Sequence, residues 1–150
     1  MSNIRPAKAE DCEAIHELIL ELAAFEHLTH QVKADADSLR RALFGQRPLA
    51  EALVVEDEKG ALFAYAIFFQ TYSTFSGKAS LYLEDIYVHP DARNRGTGKA
   101  LLEHVLALAR DRDCARCDWL VLDWNENAIR FYENMGASLH REWRLARVTF

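Results

Sequence analysis

The stretch LYLEDIYVHPDARNRGTGKALLEH, residues 81–104, decides the fold. Leu81 to Val88 is rich in β-branched and aromatic residues, and His89-Pro90-Asp91 stops it, so it reads as a strand. Strand side chains alternate between faces. Leu81, Leu83, Asp85 and Tyr87 are therefore expected on one face, and Tyr82, Glu84, Ile86 and Val88 on the other. Both faces are mostly apolar, which suits a central strand covered on both sides. Two adjacent acids, Glu84 and Asp85, interrupt it. A bare buried carboxylate is expensive, so each acid is either paired, as in a salt bridge or loop cap, or employed in chemistry.

Downstream, Arg93-Asn94-Arg95-Gly96-Thr97-Gly98-Lys99-Ala100 places two glycines one residue apart, allowing a tight bend and close approach of a ligand. A helix follows, with Leu101, Val105 and Leu108 in one apolar row and Leu102, Leu106 and Ala109 in a second. Free amides at a helix start, the helix dipole and flanking Arg and Lys suit a phosphate group; the alternative is a plain strand-to-helix turn. The Walker A pattern fails, because Arg93 and Ala100 stand where it needs Gly and Ser or Thr. The dinucleotide pattern fails as well, because Leu101 replaces its third Gly.

With 150 residues the chain is expected to form a single domain, residues 1–150, with a full core. A net charge of -5 argues against nucleic acid and suits a cationic substrate. No stretch approaches the roughly 18 apolar residues of a membrane span, and the N-terminus lacks a signal-peptide core, so no membrane and a cytoplasmic location are expected. Three cysteines, Cys12, Cys114 and Cys117, do not make a disulfide framework. Cys114-Ala-Arg-Cys117 has no second pair to complete a zinc site, and no metal is expected.

Along the chain, Asn3 to Arg5 reads as a strand, Ala9 or Glu10 opens a helix with Ile15, Leu18, Ile19, Leu22 and Phe25 on one face, and Ser38 to Phe44 is a second helix. Ala52 to Glu56 and Leu62 to Tyr72 form a hairpin, and a second turn leads to the central strand. Trp119 to Trp124 is expected to lie parallel to the central strand. Ala128 to Met135 is a helix, and Trp143 to Phe150 a closing strand.

The segment Arg93 to Gly98, between this strand and this helix, resembles the acyl-CoA loop of the GNAT N-acetyltransferases, and the element order β-α-α-β-β-β-α-β-α-β is similar to theirs. The resemblance implies an α/β (α+β) GNAT fold: a mixed, mostly antiparallel sheet, two splayed parallel strands and about four flanking helices. Tyr82-Leu83-Glu84-Asp85-Ile86-Tyr87-Val88, Leu122-Asp123-Trp124-Asn125, Phe131-Tyr132 and Trp143-Arg144 resemble, more narrowly, the spermidine/spermine N1-acetyltransferase group and its thialysine branch. Ser73, Thr74 and Phe75 are nearer the thialysine branch, and the expected acceptor is a shorter amine such as a diamine or an aminoalkyl amino acid.

The resemblance carries roles to residues. Glu84 is the expected base, acting through water, and Tyr132 the expected acid for the thiolate. Asp85 orients or helps bind the acceptor at the strand's distortion, with Glu26, Phe75, Glu84 and Trp143 also on the acceptor. Ile86, Tyr87, Val88, Arg93, Asn94, Arg95, Gly96, Thr97, Gly98, Lys99, Asn125, Ala128, Phe131 and Tyr132 are expected to hold acetyl-CoA, the co-substrate. Read without the resemblance, Asn125 is a helix cap or turn residue and Tyr132 a core aromatic. A homodimer is implied too. Two other functions stay open: acetylation of a protein lysine or N-terminus, and a non-catalytic acyl-CoA-binding module.

Overall fold

The computed structural model describes residues 3–150. The chain divides into two compact units, residues 1–120 and 121–150.

The first unit is a five-stranded sheet in the order β1-β2-β3-β4-β5, formed by Asn3–Pro6, Glu51–Glu56, Leu62–Ser73, Lys78–Val88 and Cys117–Asp118. The first four strands are antiparallel neighbours, and β5 joins β4 in parallel. Helices α1 (Cys12–Phe25) and α2 (Ala36–Phe44) lie between β1 and β2 in sequence, and α3 (Thr97–Asp111) lies between β4 and β5. Asp35 caps α2 by accepting from the Ser38 amide, while the Ser38 hydroxyl accepts from the Asp35 amide; this reciprocal pair extends the helix two residues before the expected Ser38. Ahead of α1, residues Ala9–Asp11 form a single 3-10 turn.

Two cores flank the sheet. Cys12, Ile15 and Leu18 of α1 and Leu43 of α2 pack with Ala52, Val54, Tyr65, Ile67 and Tyr87. Strand alternation sends the buried Leu53, Val55, Ala64, Ala66 and Phe68 to the other face, and α3, with Leu101, Leu102, Val105 and Ala109 buried, packs against β3 and β4. The helical rows expected for α3 thus supply its buried side.

The alternation expected within β4 fails at one place. Ile67 pairs with Asp85 but Phe68 pairs with Leu83, so Glu84 is the extra residue of a β-bulge. The bulge reverses the facing on either side of it. Asp85 and Tyr87 join Tyr65 on the α1 face, whereas Leu83 and Leu81 follow Phe68 to the α3 face.

Two expected strands are corrected. The Trp119 to Trp124 run is not a strand: parallel pairing is limited to Leu81 with Cys117 and Tyr82 with Asp118, and stops just short of the bulge. A bulge bends its strand and disturbs the ladder there, so the neighbour cannot continue in register. Nor does Trp143 to Phe150 form a strand; Trp143, Leu145, Val148 and Phe150 are exposed. Their alternation breaks between Leu145 and Val148, and a segment without a period of two cannot lay one apolar face on a sheet. The second unit contains helix α4 (Glu126–Asn134), as expected.

Candidate active site

The glycine bend is built as its sequence requires. Gly96 has φ +79° and occupies the N-cap of α3, a left-handed conformation that side-chain-bearing residues rarely adopt. Asn94 also has positive φ, at 63°, which Asn tolerates better than most residues. The first intrahelical bond runs from the Ala100 amide to the Gly96 carbonyl, so the amides of Thr97, Gly98 and Lys99 precede the ladder. With Arg95 and Lys99 beside them, these donors fit a pyrophosphate. A cleft of about 500 Å³ opens here, between Asp57–Lys59 of the β2–β3 turn and the segment containing His89, Arg95 and Thr97.

Arg93 does something the motif alone does not reveal. Its Nε donates to the Val88 carbonyl at 2.9 Å, and its guanidinium lies 5.4 Å from the ring centroids of both Phe25 and Tyr87. The Tyr87 hydroxyl donates to Glu21 of α1 at 3.1 Å. Arg93 and Tyr87 therefore fasten the bend to the last turns of α1.

The acids gather one step further along β4. Glu84, at the bulge, is exposed, and Asp85 is largely buried. The Tyr65 hydroxyl donates to Asp85 Oδ2 at 3.1 Å. Burial raises the Asp85 carboxyl from 3.8 to about 6, the Tyr65 bond pulls against that rise, and the charges of Glu84 and Glu26 add to it. Glu26, at the C-cap of α1, is half-buried and is pushed up by desolvation. The charges of Glu84 and Glu26 thus both act on Asp85, and among the described residues no cation is among the groups acting on it. Such a basin attracts an ammonium group.

The expected residues divide accordingly. Glu26, Glu84 and Asp85 come together, and Ile86, Tyr87, Val88 and Arg93 to Lys99 follow them along one strand and bend. Phe75 does not join them: it is fully exposed at the tip of the β3–β4 turn, separated from Glu84 by the strand from Lys78 onward, about 20 Å of extended chain. In the second unit, Asn125 caps α4 by accepting from the Ala128 amide at 3.3 Å, so the capping reading of Asn125 holds. Phe131 and Tyr132 lie on α4 with ring centroids 5.4 Å apart, both half-buried, and Trp143 is exposed. Tyr65 was not among the expected residues. It pairs with Tyr87 across the sheet, and only the register of β3 on β4 brings it to Asp85.

All three cysteines are free thiols, and among the described residues no group of three His, Cys, Asp or Glu side chains is placed to hold a metal. Among those residues no helix is long and apolar enough to cross a membrane.

The family model "Acetyltransferase (GNAT) family" matches residues 12–137. The thialysine N-epsilon-acetyltransferase of Mus musculus is 38% identical over 91% of this chain and 84% of its own. The L-ornithine N5-acetyltransferase NATA1 of Arabidopsis thaliana is 33% identical over 99% of this chain and 84% of its own. Among solved structures, an integron cassette protein from V. cholerae superposes with a TM-score of 0.82 over 99% of this chain and 93% of its own at 22% identity, a likeness of fold. An element order, a glycine bend and a family match over most of the length coincide, and the chain belongs to the acetyltransferase (GNAT) family as an acetyl-CoA-dependent N-acetyltransferase.

Proposed function

We propose that this enzyme acetylates the side-chain or terminal amine of a small acceptor, an aminoalkyl amino acid or short diamine, by direct attack in a ternary complex. The observation that carries this reading is the basin of Glu26, Glu84 and Asp85, whose negative charge suits a cationic amine. The relatives named for thialysine and ornithine acetylation point the same way, since both acceptors are amino acids with a terminal amine. The two units act as one catalytic domain, residues 1–150.

A primary amine has a pKa of about 10.4, so at pH 7 only about one molecule in a thousand is neutral, a handicap of roughly 4–5 kcal/mol. Asp85 and Glu26 hold the ammonium. Glu84 faces solvent at the bulge and takes its proton through water. The amides of Thr97, Gly98 and Lys99, with Arg93, Asn94, Arg95 and Gly96 shaping the bend, bind the CoA diphosphate, and Ile86, Tyr87 and Val88 with Asn125, Ala128 and Phe131 bind the pantetheine arm. Acetyl-CoA supplies a thioester carbonyl for the neutral amine to attack. Tyr132 protonates the departing thiolate, a phenol having a reference pKa of about 10. Trp143 is the remaining residue that the resemblance assigns to the acceptor. Phe75, remote from the acids of its own chain, serves the acceptor site of a second copy in a homodimer. The enzyme works in the cytoplasm, without a metal and without nucleic-acid or membrane partners.

The test is thiol release from acetyl-CoA with spermidine, spermine, putrescine, thialysine, lysine and a lysine peptide. Thialysine and the diamine are expected to give the highest kcat/KM. Preference for the peptide transfers the protein-acetylation reading to this enzyme, and failure of every one of these acceptors to release thiol sinks the catalytic one. In the same assay Tyr132→Phe is expected to lower kcat about tenfold or more with the KM for acetyl-CoA unchanged, and untouched turnover removes the acid role.

A further inference from the structure

Tyr65 is the largest of the fully buried side chains, and its ring belongs to the apolar core under α1. An interior tyrosine at such a place carries a hydroxyl that phenylalanine would not have to satisfy. Here that hydroxyl is satisfied by Asp85 Oδ2 at 3.1 Å, across the sheet and one pair along from the bulge. The arrangement is directional. Tyr65 pairs with Tyr87 and Ile67 pairs with Asp85, so the ring reaches diagonally along the α1 face to the one acid that the bulge turns inward.

We infer that Tyr65 is a positioning residue for acceptor recognition, its hydroxyl fixing the Asp85 carboxylate as the counter-ion of the acceptor's ammonium. The inference rests on the proposed small-amine acetylation.

Three features support it. First, every other group acting on Asp85 opposes its charge: Glu84 beside it on β4, Glu26 from the C-cap of α1, and burial itself. Among these influences the Tyr65 hydroxyl alone favours the ionised form. Second, the next phenol and the nearby guanidinium are already engaged elsewhere. Tyr87, next on the same face, donates to Glu21 of α1, and Arg93 from the bend lies over Tyr87 and bonds Val88. Third, the phenol itself cannot exchange roles with the carboxyl, because burial and the nearby Asp85 charge push its ionisation far upward, and it stays a donor throughout the working range. An acid at about 6 is near the point where half its charge is lost. One hydrogen bond to the charged form then decides how much counter-ion an ammonium meets at pH 6–7.

The experiment pairs a direct titration with kinetics. Carboxyl-carbon NMR follows Asp85 in the wild type and in Tyr65→Phe, and kcat/KM for the best amine is measured from pH 5 to 9 in both, beside the KM for acetyl-CoA. Loss of the bond is expected to move the Asp85 titration upward by about one pH unit. The acidic limb for the amine moves with it, so the variant is about tenfold slower at pH 5 and approaches the wild type above pH 8, while the KM for acetyl-CoA does not change. Asp85→Asn is expected to erase the limb near pH 6, and adding Tyr65→Phe to it shifts nothing further; this pair tests the inference even where Tyr65→Phe alone folds poorly. An unmoved Asp85 titration, a uniform loss at every pH, or a titration that moves while the amine limb stays put each overturns the inference and leaves small-amine acetylation standing. Absence of turnover with any amine in the wild type overturns that reading, and the role of Tyr65 with it.

Discussion

Asp11 and Glu56 at one edge of the sheet, and Glu26, Glu84 and Asp85 at the bulge, are acids of one kind in opposite circumstances. At the edge, Arg5 on β1 takes Asp11 in a bidentate pair at 2.8 and 3.1 Å and Glu56 through two donors at 2.9 and 3.1 Å. The Lys8 amide completes the shell of Asp11 at 2.7 Å. The Arg5 hydrogen bonds hold Asp11 and Glu56 below the usual carboxylate range. At the bulge no guanidinium intervenes, and Asp85 and Glu26 are held above it. The first set ties β1, β2 and the start of α1 together. The second has no cation among the charges acting on Asp85, and under the proposed function the acceptor's ammonium supplies one. Two things differ: the chain supplies a positive charge only at the edge, and desolvation leads the influences on Asp85 and Glu26 but not those on Asp11 and Glu56.

The contrast can be broken most forcefully at Glu84. Replacing the proposed base by Gln is expected to lower kcat about 100-fold or more at every pH, with the thermal midpoint hardly changed because the side chain is exposed. Turnover within a few-fold of the wild type takes Glu84 out of the proton path. Arg5→Ala reverses the pattern: it strands Asp11 and Glu56 and is expected to cost about 3 kcal/mol in denaturant unfolding, with kcat untouched. A loss of activity at full stability contradicts the division of labour.

The two sets also carry opposite pH signs. Asp11 and Glu56, depressed in the folded state, stabilise above their unfolded values and lose that contribution as pH falls through the folded ones, below about pH 4. Asp85, raised to about 6, favours the fold below 3.8 and penalises it as pH rises through 6. Its rise from 3.8 to about 6 corresponds to about 3 kcal/mol at most. Asp85→Asn, which leaves the Tyr65 hydroxyl an acceptor, is therefore expected to stabilise the protein by about 1–3 kcal/mol at pH 8 and by little at pH 4, while weakening the amine. Thermal melts across that range read it out, and equal gains at both ends refute the origin in charge burial. Smallest is Glu51→Gln, which removes the bidentate pair with Arg112 at 2.7 and 2.8 Å; half in solvent, it is expected to change stability by about 0.5 kcal/mol, and its effect fades with added salt.

Much of this was legible in the chain. The glycine bend, the hairpin strands and all four helices follow from local chemistry: Gly96 where φ must be positive, apolar rows along α3, turn residues between strands. The bulge was legible only as an oddity, two neighbouring acids in an apolar strand, because its position is set by the partner strand rather than by β4 itself. The same cause hid Tyr65, whose bond to Asp85 spans 20 positions in sequence. Arg93 reads as a phosphate ligand until Phe25 and Tyr87 are seen around it. Trp119 to Trp124 shows why composition misleads: a run apolar enough for a strand forms one only where a neighbour offers register, and β4 offers it for two residues.

The bulge bears on one more property. Past Tyr82, β4 runs on beyond the end of β5, and strand margins that outlast their neighbour are templates on which foreign chains can pair and accumulate. An irregularity in the backbone and two successive negative charges at that spot make a poor template. Glu84 and Asp85 thus make the margin hostile to another polypeptide, and neutralising both together is expected to show first as insolubility during expression.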